Sequence, residues 1–234
     1  MSETESAISN GDQEALLDCV VIEPAASARW AVIWLHGLGA DGHDFESIVP
    51  QLNLPPEAGV RFVFPHAPVR PVTINSGMAM RAWYDISGIN LRRDQDTQGI
   101  ADSVKAVQAL IKWQNQRGID TSQIVLAGFS QGGAMAMHVA LRYPEQLAGI
   151  IALSSYLLFA DQLADQASQA NADIPVFIGH GSMDPVVPFP LGEMTAKQLK
   201  ETGHPVEWRS YPMPHSVCLE QIVHLGAWLR NRVE

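Results

Sequence analysis

Cysteine is nearly absent from this chain: Cys19 and Cys218 are the two in 234 residues, far apart and in no C-x-x-C arrangement. Such usage argues against a disulfide framework and predicts reduced thiols in a cytoplasmic setting. Basic residues are scarce too, 15 Lys and Arg against 25 Asp and Glu, for a formal net charge of −10. Affinity for a phosphate backbone comes from clustered Lys and Arg, and neither clusters here, which excludes a nucleic-acid partner. Long hydrophobic runs are also missing. The longest uncharged apolar stretch, 147–160, falls short of the roughly 20 residues needed to span a bilayer, so no stable membrane insertion is expected. Residues 1–14 hold Glu3, Glu5, Asp12 and Glu14 and no basic residue. A secretory signal starts positive and continues apolar, so this stretch is expected to be a mobile tail instead. No Pro/Gly/Ser-rich linker, internal repeat or low-complexity segment divides the remainder, which predicts one domain over 15–234. With 47% hydrophobic and 17% charged residues, such a domain can bury a core without a disulfide or structural metal.

What the chain does have is Ile124-Val125-Leu126-Ala127-Gly128-Phe129-Ser130-Gln131-Gly132-Gly133. Four apolar residues that read as a buried strand run into Gly-x-Ser-x-Gly, and a helical segment over 134–142 follows without a break. A serine on so tight a strand-to-helix turn needs unfavourable dihedrals, and flanking glycines let neighbouring backbone come close. The turn exposes the Ser130 hydroxyl and aims the first helical N–H groups at whatever it attacks.

In chain order, apolar runs at 16–22 and 30–35 read as two strands joined by a hairpin or tight connection through Pro24. The second run ends in a glycine-rich loop, His36 to Asp44, with Asp44 as a candidate cap for a helix over 45–51. Such a loop after a strand is where a hydrolase of this type keeps its second oxyanion donor. A metal reading through His36, Asp41, His43 and Asp44 lacks helical H-x-x-x-H spacing and a distant cysteine ligand. Hydrogen bonds that fix the loop are the simpler reading, and no metal is expected. A strand at 60–64 precedes a proline-rich stretch, 65–77, read as a shaped loop bordering a site. Trp83 then stands as a candidate pocket residue and Tyr84 as a packing residue. Helical spacing from Ile100 to Ile111 predicts a helix that ends at Gly118, with Asp94 and Asp96 as capping charges. A strand at 147–153 is followed by Leu157, Leu158 and Phe159, which line an apolar pocket or pack on a neighbouring helix. A strand at 174–178 leads to Asp184; a helix over 193–201, a strand over 206–211, the loop carrying His215 and a last helix over 217–230 complete the chain.

Strands alternating with helices imply an α/β fold, a mostly parallel central sheet with helices on both faces. Within it, Ser130, Asp184 and His215 follow the nucleophile, acid, base order of α/β-hydrolases, each after a predicted strand. A serine hydroxyl is a poor nucleophile until a base removes its proton, and the base needs a carboxylate to fix its tautomer. Ser130 is thus expected to attack, His215 to shuttle the proton and Asp184 to orient His215. The backbone N–H groups of Gln131 and Leu38 are expected to hold the oxyanion. His36, His66 and His180 also lie near strand ends, but only His215 follows the acid and precedes the terminal helix. A turn-forming aspartate before proline is the competing account of Asp184.

Motifs along nearly the whole chain resemble the acyl-protein thioesterase and carboxylesterase branch of the α/β-hydrolases, the phospholipase/carboxylesterase family. They are His36-Gly37-Leu38-Gly39, Pro65-His66-Ala67-Pro68, Trp83-Tyr84-Asp85, Gly128-Phe129-Ser130-Gln131-Gly132-Gly133, His180-Gly181 with Asp184-Pro185-Val186-Val187, and His215-Ser216-Val217. The resemblance implies hydrolysis of carboxylic esters, or of acyl thioesters on proteins, along a shallow apolar groove and without a cofactor. Ala40-Asp41-Gly42 is closer to bacterial carboxylesterase members than to animal thioesterases. Pro214 stands where many relatives carry glycine. The expected reaction is hydrolysis of short- to medium-chain esters through an acyl-enzyme on Ser130. Acylated proteins or lysolipids are the alternative substrates, and a non-catalytic hydrolase-fold binding protein is the reading from outside enzymology. The oligomeric state is open.

Overall fold

The computed structural model describes residues 16–88, 91 and 95–233. The tail expected over 1–14 and the candidate cap Asp94 lie outside the described residues. In chain order the strands and α-helices are β1 (Cys19–Ile22), β2 (Trp30–Leu35), β3 (Val60–Pro65), β4 (Val69–Val72), β5 (Met78–Arg81), α1 (Thr97–Gln116), β6 (Ile124–Phe129), α2 (Gln131–Ala140), β7 (Gly149–Leu153), α3 (Leu163–Gln166), β8 (Val176–Gly181), α4 (Phe189–Glu201), β9 (Val206–Tyr211) and α5 (Leu219–Arg230). Seven strands form one sheet in the order β1-β3-β2-β6-β7-β8-β9. Every pairing in it is parallel except β1 with β3.

Alternation along each strand sorts the core into two layers. On β2, Ala31, Ile33 and Leu35 face one side, packing with Leu110, Ile111 and Met135 from α1 and α2. Val32 and Trp34 face the other, with Phe45, Phe177 and Trp228. Strands buried on both faces read as unbroken apolar runs, which is why β2, β6 and β7 are plain in the sequence.

The order also locates a crevice. From β2 the chain passes to β3 on one side and later to β6 on the other. The carboxyl ends of β2 and β6 therefore sit at a topological switch point, where open α/β sheets bind ligands. His36 follows β2 and Ser130 follows β6.

Three local expectations give way. β1 and β2 are no hairpin, because β1 pairs antiparallel with β3 and β2 sits between β3 and β6. The helix near 45–51 is a 3-10 helix, Glu46–Leu52, with Pro50 inside it and no side-chain cap from Asp44; an internal proline removes a donor and disfavours a full α-helix. The stretch 65–77 is not wholly irregular: β4 and β5 pair as a separate antiparallel hairpin around a 3-10 turn, Thr73–Asn75. That hairpin leaves Val69 and Met78 63% and 64% exposed, so no inside-outside alternation announced it. By contrast Asp96 does cap α1, accepting from the N–H of Gly99 at 2.9 Å.

The turn between β6 and α2 shows what its glycines do. Ser130 has φ 53° and ψ −120°, a conformation that a non-glycine residue holds only when its surroundings enforce it. A Cβ on Gly132 would overlap the carbonyl oxygens of Leu35 and His36, and one on Gly128 would overlap the backbone of Gly132. Gly132→Ala is therefore expected to cost about 1–3 kcal/mol or more of stability, because only backbone can move aside. Urea unfolding would measure it; a loss below about 0.5 kcal/mol, the range of an ordinary surface substitution, would show that the turn tolerates a side chain.

Candidate active site

Ser130, His215, Leu38 and Gln131 line one cavity of about 580 Å³ beyond the ends of β2 and β6. Asp184 lies behind His215, its carboxylate wholly enclosed. His215 Nδ1–H donates to Asp184 Oδ2 at 2.7 Å. The other carboxylate oxygen, Oδ1, accepts the backbone N–H groups of Val186 at 2.8 Å and Val187 at 2.9 Å. Asp184 is thus both a turn-former and a partner for histidine, one oxygen for each. The carboxylate fixes the proton of His215 on Nδ1, which leaves Nε2 free to accept. Phe129 packs on the His215 ring, with centroids 4.7 Å apart. The Ser130 and His215 side chains both line the cavity, with no hydrogen bond between them.

The elbow is held from below. The N–H of Ser130 donates to the Leu153 carbonyl at 2.8 Å, and the Ser155 hydroxyl donates to the Ser130 carbonyl at 2.8 Å. Gln131 opens α2, so its N–H has no acceptor within the helix. Leu38 sits in the loop after β2, and that loop is tied to the β4–β5 hairpin by Gly39 N–H donating to the Arg81 carbonyl at 2.9 Å.

The other histidines have structural partners. Burial holds His36 below the usual histidine range. Its Nδ1–H donates to the Gly37 carbonyl at 2.7 Å and its Nε2 accepts from Ala67 N–H at 3.0 Å. His66 accepts from Gly42 N–H at 3.1 Å, and His43 contacts Glu46 at 2.9 Å. His180 is fully enclosed and likewise pushed down by burial; its Nε2–H donates to the Val187 carbonyl at 2.9 Å, 3.6 Å from Asp184 Oδ2. Among the described residues no group of three or more His, Cys, Asp or Glu side chains is arranged to hold a metal ion. Burial also pushes the Cys19 thiol up to about 12, and Cys19 does not line the cavity.

The candidate pocket residues lie elsewhere. Trp83, Leu157 and Leu158 are buried in the core layer that packs on α1 and α2, and Phe159 is half-buried against the same layer. None of the four lines the cavity. Its apolar wall is built instead by Ile74, Ile86, Leu91, Tyr156, Val186 and Val187. Tyr156 is fixed there by a 2.9 Å contact between its hydroxyl and that of Tyr84. Ile74 and Val186 sit in proline- and glycine-rich stretches with no hydrophobic period, so only their place near strand ends pointed to them.

The family model described as Phospholipase/Carboxylesterase matches residues 17–231. Acyl-protein thioesterase 1 of Neurospora crassa is 42% identical over 223 residues, covering 91% of each chain. Acyl-protein thioesterase 1 of Cryptococcus neoformans is 36% identical over 232 residues, covering 91% of this chain and 96% of that one. These relatives are fungal, so they lend no support to the bacterial leaning of the 40–42 loop. Among solved structures, Arabidopsis thaliana SOBER1 superposes with a TM-score of 0.82 at 30% identity, covering 88% of this chain and 100% of its own. Zea mays acyl-protein thioesterase 2 does so with a TM-score of 0.80 at 28% identity, covering 93% and 99%. The chain belongs to the phospholipase/carboxylesterase family of α/β-hydrolases and is a serine hydrolase of the esterase/thioesterase type.

Proposed function

We propose that this protein is an acyl-protein thioesterase that removes acyl chains from protein thiols through an acyl-enzyme on Ser130. The observation that carries the reading is the predominantly apolar cavity of about 580 Å³ that opens at Ser130. Such a wall suits a fatty acyl chain, and the volume falls within the roughly 300–1,000 Å³ of small-molecule sites. The 36–42% identity to fungal acyl-protein thioesterases supports the same substrate class. This reverses the order suggested by sequence, where short- and medium-chain esters come first; ester hydrolysis stays compatible, since the chemistry is shared.

In the proposed route, Ser130 Oγ attacks the acyl carbonyl as His215 Nε2 takes its proton, and Asp184 stabilises the imidazolium. The negative oxygen is held by the N–H groups of Leu38 and Gln131. Collapse breaks the carbon–sulfur bond and releases the thiol, protonated by His215. A cysteine thiolate, with a pKa near 8.5, leaves more readily than an alkoxide. Water activated by His215 then attacks the acyl-enzyme, and Ser130 departs with the proton. Three side chains, two backbone N–H groups and water carry the route.

We further propose that residues 15–234 act as one domain and work in the cytoplasm, in keeping with two free cysteines. Among the described residues no helix is long and apolar enough to cross a membrane. An ester-specialised enzyme of bacterial carboxylesterase type is the second reading and rests on Ala40-Asp41-Gly42. Comparing kcat/KM for acetyl, octanoyl and palmitoyl thioesters and their oxygen esters separates the two. Under the thioesterase reading, kcat/KM holds or rises toward palmitoyl and is higher for each thioester than for its ester. Activity that collapses beyond short chains would overturn it.

A further inference from the structure

Trp83 does not line the cavity, yet it connects the loop after β2 to the first residue of α2. Its indole Nε1–H donates to the His36 carbonyl at 2.9 Å, two residues before Leu38. Its backbone N–H donates to Gln131 Oε1 at 2.8 Å. The Gln131 side chain completes a two-point clamp by donating from Nε2 to the Tyr84 carbonyl at 2.8 Å. Behind this, the Ser103 hydroxyl of α1 donates to the Trp83 carbonyl. Trp83 and Gln131 are 0% and 1% exposed, so water cannot substitute for any of these bonds. The 83–84 dipeptide is therefore a strut. One end holds the loop that presents the Leu38 N–H; the other holds the residue that presents the second N–H.

Resting on the function proposed above, we propose that the Trp83 indole and the Gln131 side chain are positioning residues for the oxyanion site, setting the separation and aim of the Leu38 and Gln131 N–H groups. Neither side chain touches the reacting atoms. Tryptophan suits the place because its rigid bicycle reaches across the gap and carries one donor and no acceptor, matching a lone carbonyl. A glutamine amide suits the other end because it accepts and donates in one plane, as the Trp83 N–H and Tyr84 carbonyl require. Oxyanion donors act only if aimed at where charge develops, and an error of about 1 Å in a reacting geometry can cost about 100-fold.

The test uses Trp83→Phe, which keeps a ring in the slot and removes the N–H, and Gln131→Met, which keeps the volume and removes the clamp. Steady-state kinetics on an octanoyl thioester would be combined with binding of two ligands of equal chain length. One is a trifluoromethyl ketone, whose adduct with Ser130 carries the oxyanion; the other is the fatty alcohol, which fills the cavity without one. Each variant is expected to lower kcat about 10- to 100-fold, with KM within about two-fold. Ketone affinity should fall by the same factor while alcohol affinity holds. The double variant should lose little more than the worse single one, since both cut one strut. Folded variants with kcat within two-fold of wild type would overturn the proposal. So would equal weakening of ketone and alcohol, which signals a general distortion of the cavity. Where Trp83→Phe does not fold, benzothienylalanine in place of Trp83 keeps the bicycle and lacks only the N–H, and decides the matter by the same readouts. Failure of the underlying function looks different: wild-type Ser130 would escape labelling by a fluorophosphonate.

Discussion

Ser130→Ala is expected to lower kcat for thioesters and esters alike by about 10⁴- to 10⁶-fold, while the folded protein and its hold on the acyl chain stay nearly intact. The substitution removes one oxygen and little else. All three bonds to the backbone at this position, from Ser130 N–H to the Leu153 carbonyl and from Ala134 N–H and the Ser155 hydroxyl to the Ser130 carbonyl, are available to alanine. Alanine carries the same Cβ as serine, so it meets the same strain at φ 53°. The lost hydroxyl contributes no hydrogen bond to the scaffold. Under the proposed mechanism the acyl-enzyme route disappears, leaving the oxyanion site and His215 to assist direct attack by water, which accounts for the residual rate such variants keep. The checks are kcat on an octanoyl thioester, loss of fluorophosphonate labelling and an unchanged affinity for octanol. Retention of more than about a tenth of the wild-type kcat would remove Ser130 as the nucleophile, since triad losses run to orders of magnitude.

The elements that position Ser130 are also the ones most legible in the sequence. β6 and β7 are continuous apolar runs because both faces of a central parallel strand are buried, and Gly-x-Ser-x-Gly stands out because the turn tolerates no side chains at its flanks. β1 misleads for the opposite reason. Its partner is β3, more than forty residues later in register (Cys19 pairs with Pro65), and a long-range pairing leaves no local trace beside a nearer strand. The β4–β5 hairpin escapes because half of its strand residues are exposed and only Val72 is buried, so apolarity carries no period.

The cavity shows the same divide. Ser130, Asp184 and His215 each follow a strand, so chain order and strand ends suffice to nominate them. Its apolar wall comes from Ile74, Ile86, Leu91 and the Pro185–Pro188 stretch, irregular segments whose approach to one another is decided by tertiary contacts. Leu157, Leu158 and Phe159 also follow a strand end, as pocket residues do. Positive φ angles at Ser154 and Phe159, both 46°, accompany a chain path that returns them to the core. Apolar residues suit either destination, so composition cannot choose between them. Trp83 is the instructive case: a large aromatic beside a site invites a pocket role, whereas its donor is already committed to the His36 carbonyl.

Asp184→Asn is expected to lower kcat by about 10⁴-fold with little loss of stability, because the two carboxylate oxygens have different tasks. Oδ1 accepts two backbone N–H groups, from Val186 and Val187, and the turn can keep both bonds only if an acceptor stays there. The amide oxygen must therefore occupy the Oδ1 place, which puts the NH₂ group where Oδ2 now meets His215 Nδ1 at 2.7 Å. An NH₂ group only donates, so Nδ1 must turn acceptor and the imidazole proton moves to Nε2. In the proposed route that is the nitrogen that takes the proton from Ser130, and it can no longer do so. His180 does not rescue the arrangement, since its Nε2–H already donates to the Val187 carbonyl and offers Nδ1 of His215 nothing. Asp184→Ala separates the two tasks: it removes the turn acceptor as well, so the N–H of Val187, which is buried, should cost about 1–3 kcal/mol when left unpartnered, on top of a comparable loss of activity. Urea unfolding and steady-state kinetics on the pair decide between the accounts. If Asp184→Asn kept more than a tenth of wild-type kcat while Asp184→Ala unfolded easily, Asp184 would be a turn residue alone, and the base at His215 would have to take its orientation from elsewhere.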